Sequence, residues 1–369
     1  MKNLFVIAEP EILFEQGTRN NALNEILKYY TSYNLSVTYI SGSSCEQSFE
    51  INGVVYKPLS NYSKNKRNIF IFHNEIRSFF LKVVNVENLH IQFRLPSIYS
   101  LQVYFLVRDI IPKDKISFYI AGDWKESLKF NYPRKKVFHS VLPFIQKLVI
   151  KGKVCVCTGE KLLSDNKAYI SRGLDFYSTT HTIDDVCLVP VSRENSRSIC
   201  FVGRIEKLKN YQFMLHLAKG SLGSKYSFHW LGDGPDREIL EQEVAFNNLS
   251  NVHIHGHVSD RRVFDEIVTQ CKYFVLCSYT EGTSKTLPEM MCRSVIPIAF
   301  KGVGSNSKIL SFGNGILVDV DDYNDVTQKI IEIDNDSNKY HSLLDCGNNY
   351  AKLFTVESQL ARMFEFLYS

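Results

Sequence analysis

The chain has no run of 18 apolar residues, and this absence argues against a transmembrane helix. Its first apolar run extends only from Leu4 to Ala8 before Glu9 follows, so it predicts a buried first strand and not a signal peptide. The sequence also has no internal repeat, low-complexity tract or disordered linker. We therefore expect a cytoplasmic protein that can be peripheral at the cytoplasmic face of a membrane.

Metal-binding patterns built from cysteine are missing as well. Nine cysteines are present, but no two form a CxxC pair and none has the spacing of zinc ligands. Cys155 and Cys157 lie in the apolar run KVCVCT, which is typical of a buried strand. We expect free, buried thiols in a reducing compartment.

The composition is that of a globular protein with room for two domains. The chain has 369 residues, of which 44% are hydrophobic and 22% are charged. Residues 1–150 carry 19 Lys and Arg against 12 Asp and Glu, whereas residues 151–369 carry 24 against 27. A basic first half suits an anionic membrane surface or a phosphate-bearing acceptor, and an ordinary solvated surface is the alternative.

Short apolar runs alternate with helical patterns along both halves of the chain. Val/Ile/Phe-rich runs of this kind predict parallel strands covered by helices on both faces. The first-half strands are predicted at 4–9, 35–41, 68–72, 88–93 and 116–121. The chain turns polar at 189–198, so we predict Rossmann-like domains at 1–192 and 193–350. Residues 351–369 are predicted to include a C-terminal helix that can pack back on the first domain.

Residues 134–153 mix Arg and Lys with Val, Phe, Leu and Ile. This segment is either a basic amphipathic helix that lies on a membrane or an internal helix with a charged edge. Pro143 interrupts the helical pattern and favours the internal helix.

Three loops that follow predicted strands of the second half carry the residues suited to chemistry. In FVGRIEKLKN (201–210), the cations Arg204 and Lys209 follow a buried strand and form a good diphosphate clamp, with a salt-bridged turn as the alternative. In LGDGP (231–235), the glycines permit close approach of a ligand, but the motif taken alone favours a plain strand-to-helix turn with Asp233 as a cap.

The third loop, SYTEGTSKTLPEMM (278–291), is the most informative. A buried strand ends at Ser278 and a helix is predicted to begin near Ser284, so backbone amides there form an anion site. Glu281 precedes the helix and Glu289 lies on its first turns. The two carboxylates therefore flank one predicted pocket, where each can accept hydrogen bonds from sugar or ribose hydroxyls.

Taken together, these motifs resemble glycosyltransferase family 4. The resemblance rests on G-R-x4-K (203–209), L-G-D-G-P (231–235), V-x-I-x-G-H-V (252–258) and S-x-x-E-G-T followed by L-P-E (278–289). It implies an α/β fold of the GT-B class, with two Rossmann-like domains facing across a cleft. It further implies a retaining, metal-independent hexosyltransferase without a cofactor, whose donor is a nucleoside-diphosphate sugar of the UDP or GDP type.

The resemblance also implies residue roles. The catalytic residues would be Glu281, Arg204 and Lys209. The donor would be bound by Gly203, Arg204, Lys209, Gly232, His257, Val258, Glu281, Gly282, Thr283, Thr286, Leu287 and Glu289. Three first-domain residues are assigned to the acceptor or the sugar: Gly17, Gln92 and Asp123. For Asp123, a helix N-cap is the alternative role.

The acceptor is expected to be a saccharide hydroxyl, on a lipid-linked or growing oligosaccharide of surface polysaccharide biosynthesis. No nucleic-acid partner is expected. Two other classes of function stay open: a non-catalytic glycosyltransferase-like subunit, and a GT-B enzyme that is a nucleotide-sugar epimerase or a phosphorylase.

A metal site is a further alternative, because His253, His255 and His257 alternate along one predicted strand. No carboxylate or cysteine stands beside them, so we interpret them as one face of a strand and expect no metal. The pair Asp319 and Asp321 resembles a metal-binding D-x-D, but its place before a helix favours capping.

Overall fold

The computed structural model describes residues 2–42, 47–59, 69–122, 124, 138–281 and 283–369. The chain divides into two compact units, Met1–Tyr177 with Gln359–Ser369, and Ser178–Ser358. Each unit has its own parallel sheet.

The division falls at 177/178, whereas the sequence places it at 192/193. The intervening segment is hydrogen-bonded to the second unit, since Nε2 of His181 lies 2.8 Å from the Ala351 carbonyl. The Val191 amide likewise donates to Oγ of Ser294 over 3.0 Å. Polar composition marks where a chain leaves its regular elements, but these bonds decide which unit the segment joins.

The first unit contains an eight-stranded sheet in the order β10-β9-β8-β7-β1-β4-β6-β5. Its strands are β1 (Lys2–Ile7), β4 (Leu35–Ser41), β5 (Phe49–Ile51), β6 (Val54–Pro58), β7 (Leu89–Leu95), β8 (Ile116–Ile120), β9 (Val154–Thr158) and β10 (Arg172–Phe176). All neighbours pair in parallel except β5 with β6. A separate hairpin joins β2 (Ile12–Leu13) to β3 (Gly17–Thr18).

The helices of the first unit are α1 (Asn21–Thr31), α2 (Ile69–Val83), α3 (Ile98–Val107), α4 (Phe138–Ile150) and α5 (Glu160–Asn166). The predicted strand at 68–72 is wrong, because α2 begins at Ile69. Phe72, Ile76, Phe80 and Val83 are all buried at helical spacing, so a short apolar run belongs to a longer helical face.

The second unit contains a six-stranded, fully parallel sheet in the order β13-β12-β11-β14-β15-β16. Its strands are β11 (Ser198–Val202), β12 (Ser227–Leu231), β13 (Val252–Gly256), β14 (Tyr273–Leu276), β15 (Ile296–Phe300) and β16 (Ile316–Val318). Its helices are α6 (Tyr211–Lys219), α7 (Arg237–Phe246), α8 (Arg261–Val268), α9 (Thr286–Cys292), α10 (Asn306–Ile309), α11 (Tyr323–Asp334) and α12 (Ser337–Leu353). The last helix, α13 (Val356–Tyr368), returns to the first unit from Gln359 onwards.

Alternation along the strands gives the second sheet two apolar faces. Phe201 and Phe228 belong to one buried cluster, whereas Cys200 and Phe274 belong to another. Because both faces are covered, the strands are continuous apolar runs, as the sequence predicts. Across the described ranges, no helix combines the length and the apolar character needed to cross a bilayer.

The order of the second sheet also determines where a ligand can bind. The chain moves outward from β11 to β12 and β13 on one side, and from β14 to β16 on the other. The loops after β11 and β14 therefore diverge at a topological switch point, where open parallel sheets bind ligands.

Candidate active site

The loops after β11, β12 and β13 are joined by backbone hydrogen bonds. The Gly203 amide donates to the Leu231 carbonyl over 3.0 Å, and the Gly232 amide donates to the Gly256 carbonyl over 2.7 Å. Three predicted donor-site segments thus form one continuous rim at the carboxyl edge of the sheet.

Glycine is required where the first two loops touch. A β-carbon added to Gly232 would lie 1.9 Å from the Gly203 carbonyl oxygen, and one added to Gly234 would lie 2.3 Å from the Ile205 oxygen. The Ile205 amide also donates to the Asp233 carbonyl over 3.0 Å. The L-G-D-G-P motif is therefore explained by the close packing of one loop against the other.

Lys209 and Glu281, which the sequence assigns to catalysis, form an ion pair. Nζ of Lys209 lies 2.6 Å from Oε1 of Glu281, and the two side chains are 28% and 13% exposed. A 3-10 turn, Lys207–Lys209, carries the lysine, and the Tyr279 amide donates to the Leu208 carbonyl over 3.0 Å. The fold brings together two charges that are 72 residues apart in the chain.

Asp321 lies beside this pair and was not predicted as a site residue. Its Oδ1 accepts a hydrogen bond from Nδ2 of Asn210 over 2.9 Å. The Tyr279 hydroxyl lies 3.0 Å from Oδ2 of the same carboxylate. The sequence favours a capping role for Asp319 and Asp321, but the side chain that caps α11 is that of Asp322.

Arg204 lies on the exposed side of its loop. Its side chain is 63% exposed, and Nη1 lies 3.5 Å from Oε2 of Glu206. This position leaves the guanidinium open to an anionic ligand.

Glu289 lies on α9 in a ring of charges. Burial raises the pKa of its carboxyl group, although Arg293 and Arg261 oppose that rise. Nε of Arg293 donates to Asp265 over 2.6 Å, and Arg261 pairs with Asp185 at 2.8 Å. Neither arginine was predicted: Arg293 follows Glu289 by four residues at the end of the same helix, whereas Arg261 comes from a distant segment.

The remaining residues of the third loop are placed as follows. Thr283 and Thr286 are half-buried, and Gly282 lies outside the described residues. The Leu287 side chain is fully buried in the apolar cluster below the loop, so only its backbone can face a ligand. The Leu287 amide lies 3.3 Å from the Ser284 carbonyl oxygen.

The histidines near β13 are arranged differently from the prediction. The strand ends at Gly256, so exposed His257 stands beyond it, and half-buried Val258 packs on the apolar cluster. Nδ1 of His229, from β12, lies 3.0 Å from Nε2 of His255. Burial and the neighbouring imidazoles lower the pKa of His229 to about 4. In the described part of the chain, no group of three or more His, Cys, Asp or Glu is arranged to hold a metal.

Two of the three first-unit candidates can be placed. Gly17 lies in β3 with φ of 88°, next to the Asn24 side chain. Gln92 is 0% exposed in β7, and neither of its amide atoms has a hydrogen-bond partner. Asp123 lies outside the described residues.

Comparison with known proteins adds to this geometry. Residues 189–349 match the model of a family described as glycosyl transferases group 1. A protein of Methanocaldococcus jannaschii, named an uncharacterized glycosyltransferase, is 28% identical over 245 residues, which are 62% of this chain and 66% of the relative. A 41.2 kDa protein in the cps region of Klebsiella pneumoniae is 25% identical over 292 residues, which are 74% of this chain and 75% of the relative. The match thus spans just under two thirds of the Methanocaldococcus relative.

A solved structure shows the same fold. HepE of Anabaena in complex with UDP has a TM-score of 0.71 at 14% identity, with 100% of this chain and 99% of that chain covered. The chain therefore has the fold of the GT-B class. The match of residues 189–349 to the glycosyl transferases group 1 family bears out the resemblance that the motifs predicted.

Proposed function

We propose that this chain transfers a sugar from a nucleoside diphosphate of the UDP or GDP type to an acceptor hydroxyl, with retention at the anomeric carbon. The observation that carries the proposal is the Lys209–Glu281 pair, 2.6 Å apart at the switch point of the second sheet. Lys209 and exposed Arg204 supply fixed positive charge for the leaving diphosphate. Glu281 faces the transferred sugar, and Glu289 accepts hydrogen bonds from the ribose hydroxyls.

The donor class is supported by a structural neighbour. HepE of Anabaena has been solved with UDP and with UDP-glucose. With two cations stabilising the diphosphate, the proposed reaction needs no metal ion, and the acceptor proton passes to the donor phosphate on the same face.

A thermal-shift panel with UDP, GDP, ADP, CMP and their sugar conjugates, each in EDTA, tests the donor site. A nucleotide that binds only the native state raises the unfolding temperature by mass action. We expect a clear rise with one base, and no shift at millimolar concentration would contradict the proposal and favour a non-catalytic subunit.

A variant pair then tests the residue assignment. Lys209→Ala should lower turnover more than about tenfold, because stabilisation of the developing charge is lost. Lys207→Ala, an exposed lysine in the same turn, is the matched control and should retain the wild-type rate. Equal rates for the two variants would remove Lys209 from the clamp, and a strict need for Mg²⁺ would contradict the metal-free reaction.

The proposed acceptor is a lipid-linked or growing oligosaccharide of surface polysaccharide biosynthesis. Support comes from the relative in the cps region of Klebsiella pneumoniae. Radiolabelled transfer to polyprenyl-diphosphate oligosaccharides, compared with free sugars, tests this proposal. Transfer to free sugars alone would contradict it.

A peripheral site of action on the cytoplasmic face of the membrane follows from the same proposal. In α4, Val141, Phe144 and Leu148 are 42%, 61% and 57% exposed along one side, whereas Leu142 and Val149 are buried. No Asp or Glu occurs from 127 to 159, a segment with seven Lys and Arg. An apolar stripe with basic flanks suits an anionic lipid surface.

Sedimentation with phosphatidylglycerol vesicles tests the membrane contact. Phe144→Ser with Leu148→Ser should abolish binding, and Leu81→Ser is the control, because Leu81 is 54% exposed on α2. Equal binding by the two variants would exclude α4 as the contact.

A further inference from the structure

The Asp321 carboxylate connects the two loops that carry the Lys209–Glu281 pair. One partner is Asn210, the residue after Lys209, whose Nδ2 lies 2.9 Å from Oδ1. The other is Tyr279, two residues before Glu281, whose hydroxyl lies 3.2 and 3.0 Å from the two carboxylate oxygens. One side chain therefore restrains both loops next to their charged residues.

The backbone of Asp321 has a strained conformation, which is consistent with a specific role for its side chain. Its φ is 59°, in the left-handed region, which costs residues with a β-carbon about 1 kcal/mol or more. A helix cap does not account for the side chain, since Asp322 accepts the hydrogen bond from the Asp325 amide over 2.9 Å. Asp319 has a different partner, Lys301, at 3.4 Å.

Other contacts maintain the fold of the loops without Asp321. The Tyr279 amide donates to the Leu208 carbonyl over 3.0 Å, and Sγ of Cys277 donates to the Asn210 carbonyl over 3.2 Å. These two contacts fix the loops to each other, but they restrain neither the Asn210 side chain nor the Tyr279 ring.

We propose that Asp321 is a positioning residue, which aligns the Lys209 ammonium and the Glu281 carboxylate through Asn210 and Tyr279. A role of Asp321 in turnover rests on the proposed sugar transfer. Its alignment of the ion pair does not depend on that function. Small displacements of catalytic charges are costly, because transition-state stabilisation depends on preorganised geometry.

Three variants test the role in turnover. Asp321→Gly loses the hydrogen bonds to the carboxylate but relieves the left-handed backbone, so these opposing effects should leave the unfolding temperature nearly unchanged. We expect kcat to fall about fivefold, with donor KM changed less than twofold. Asp321→Asn keeps one acceptor oxygen and should restore at least half of kcat. Asn248→Gly is the matched control, because Asn248 has φ of 51° beyond α7.

A wild-type kcat for Asp321→Gly would overturn the proposal, as would a loss of kcat that accompanies a lower unfolding temperature. A measurement that does not depend on activity separates failure of the positioning role from failure of the proposed function. A double-mutant cycle with Lys209→Met and Glu281→Gln gives the coupling between the pair in the ligand-free protein. We expect the coupling to fall to about half in the Asp321→Gly background. An unchanged coupling would overturn the proposal even if the wild-type enzyme transferred sugar.

Discussion

Replacement of Gly232 by alanine tests whether the rim of the site depends on loop-to-loop contact. The added β-carbon would lie 1.9 Å from the Gly203 carbonyl oxygen, and real β-carbons do not approach other atoms within 3.0 Å. The two loops must therefore separate by about 1 Å, because the obstacle is backbone and not a flexible side chain. Gly203→Ala is the matched control, since its β-carbon would meet only the Phe201 ring, at 3.6 Å.

The magnitude follows from the bonds that the separation breaks. Gly203 and Gly232 have φ of 157° and 150°, so both variants carry a similar backbone cost of about 1–3 kcal/mol. Only Gly232→Ala also loses the backbone hydrogen bonds from Gly203 to Leu231 and from Gly232 to Gly256, at about 1 kcal/mol each. We expect Gly232→Ala to be about 2 kcal/mol less stable than Gly203→Ala.

Urea unfolding followed by tryptophan fluorescence measures the difference. The chain has two tryptophans, and Trp230 is fully buried in β12 of the second unit. In a Trp124→Phe background, emission reports on that unit alone. Stabilities that agree within about 0.5 kcal/mol would refute the argument, because the contact between loops would then carry no cost.

Two further predictions concern charge. Burial lowers the pKa of His90 in the folded protein to about 4, whereas the pKa in the unfolded chain is about 6.5. The unfolded chain therefore binds more protons than the folded protein as the pH falls through about 6.5. The free energy of unfolding should fall by about 1 kcal/mol from about pH 7.5 to 5.5. His90→Gln should remove that loss and exposed His257→Gln should not, as judged by urea midpoints at both pH values. Arg293→Met should destabilise the chain by about 2 kcal/mol, since the side chain is 5% exposed and pairs with Asp265. Arg262→Met, at an 88% exposed arginine, is the control, and equal unfolding midpoints would contradict the prediction.

The fold class was predictable because local patterns suffice for it. Continuous apolar runs become the buried strands of parallel sheets, and the helical periods between them supply the crossovers. The strand predicted at 68–72 shows the limit of this reasoning. A five-residue apolar run is too short to show a helical or a strand period. Only the packed core shows that Phe72 is buried at helical spacing with Ile76 and Phe80.

The candidate site was predictable in its residue types and less so in its contacts. The carboxyl ends of parallel strands meet at one edge, so Arg204, Lys209 and Glu281 are expected together once their strands are recognised. Asp321 and Arg261 carried no local signal, because an aspartate before a helix or an arginine on one is most often a cap or a solvated charge. Their roles depend on partners from distant segments.

The sequence alone determined the two α/β units, the order of the motifs and the charged residues available for chemistry. Those properties depend on neighbours within a few residues, where period and turn residues decide local structure. Only the tertiary structure decided that Lys209 pairs with Glu281, 72 residues away, and that Asn210 binds Asp321, 111 residues away. Such contacts depend on the order of strands in the sheet and on the path of each loop beyond it, which no local pattern specifies.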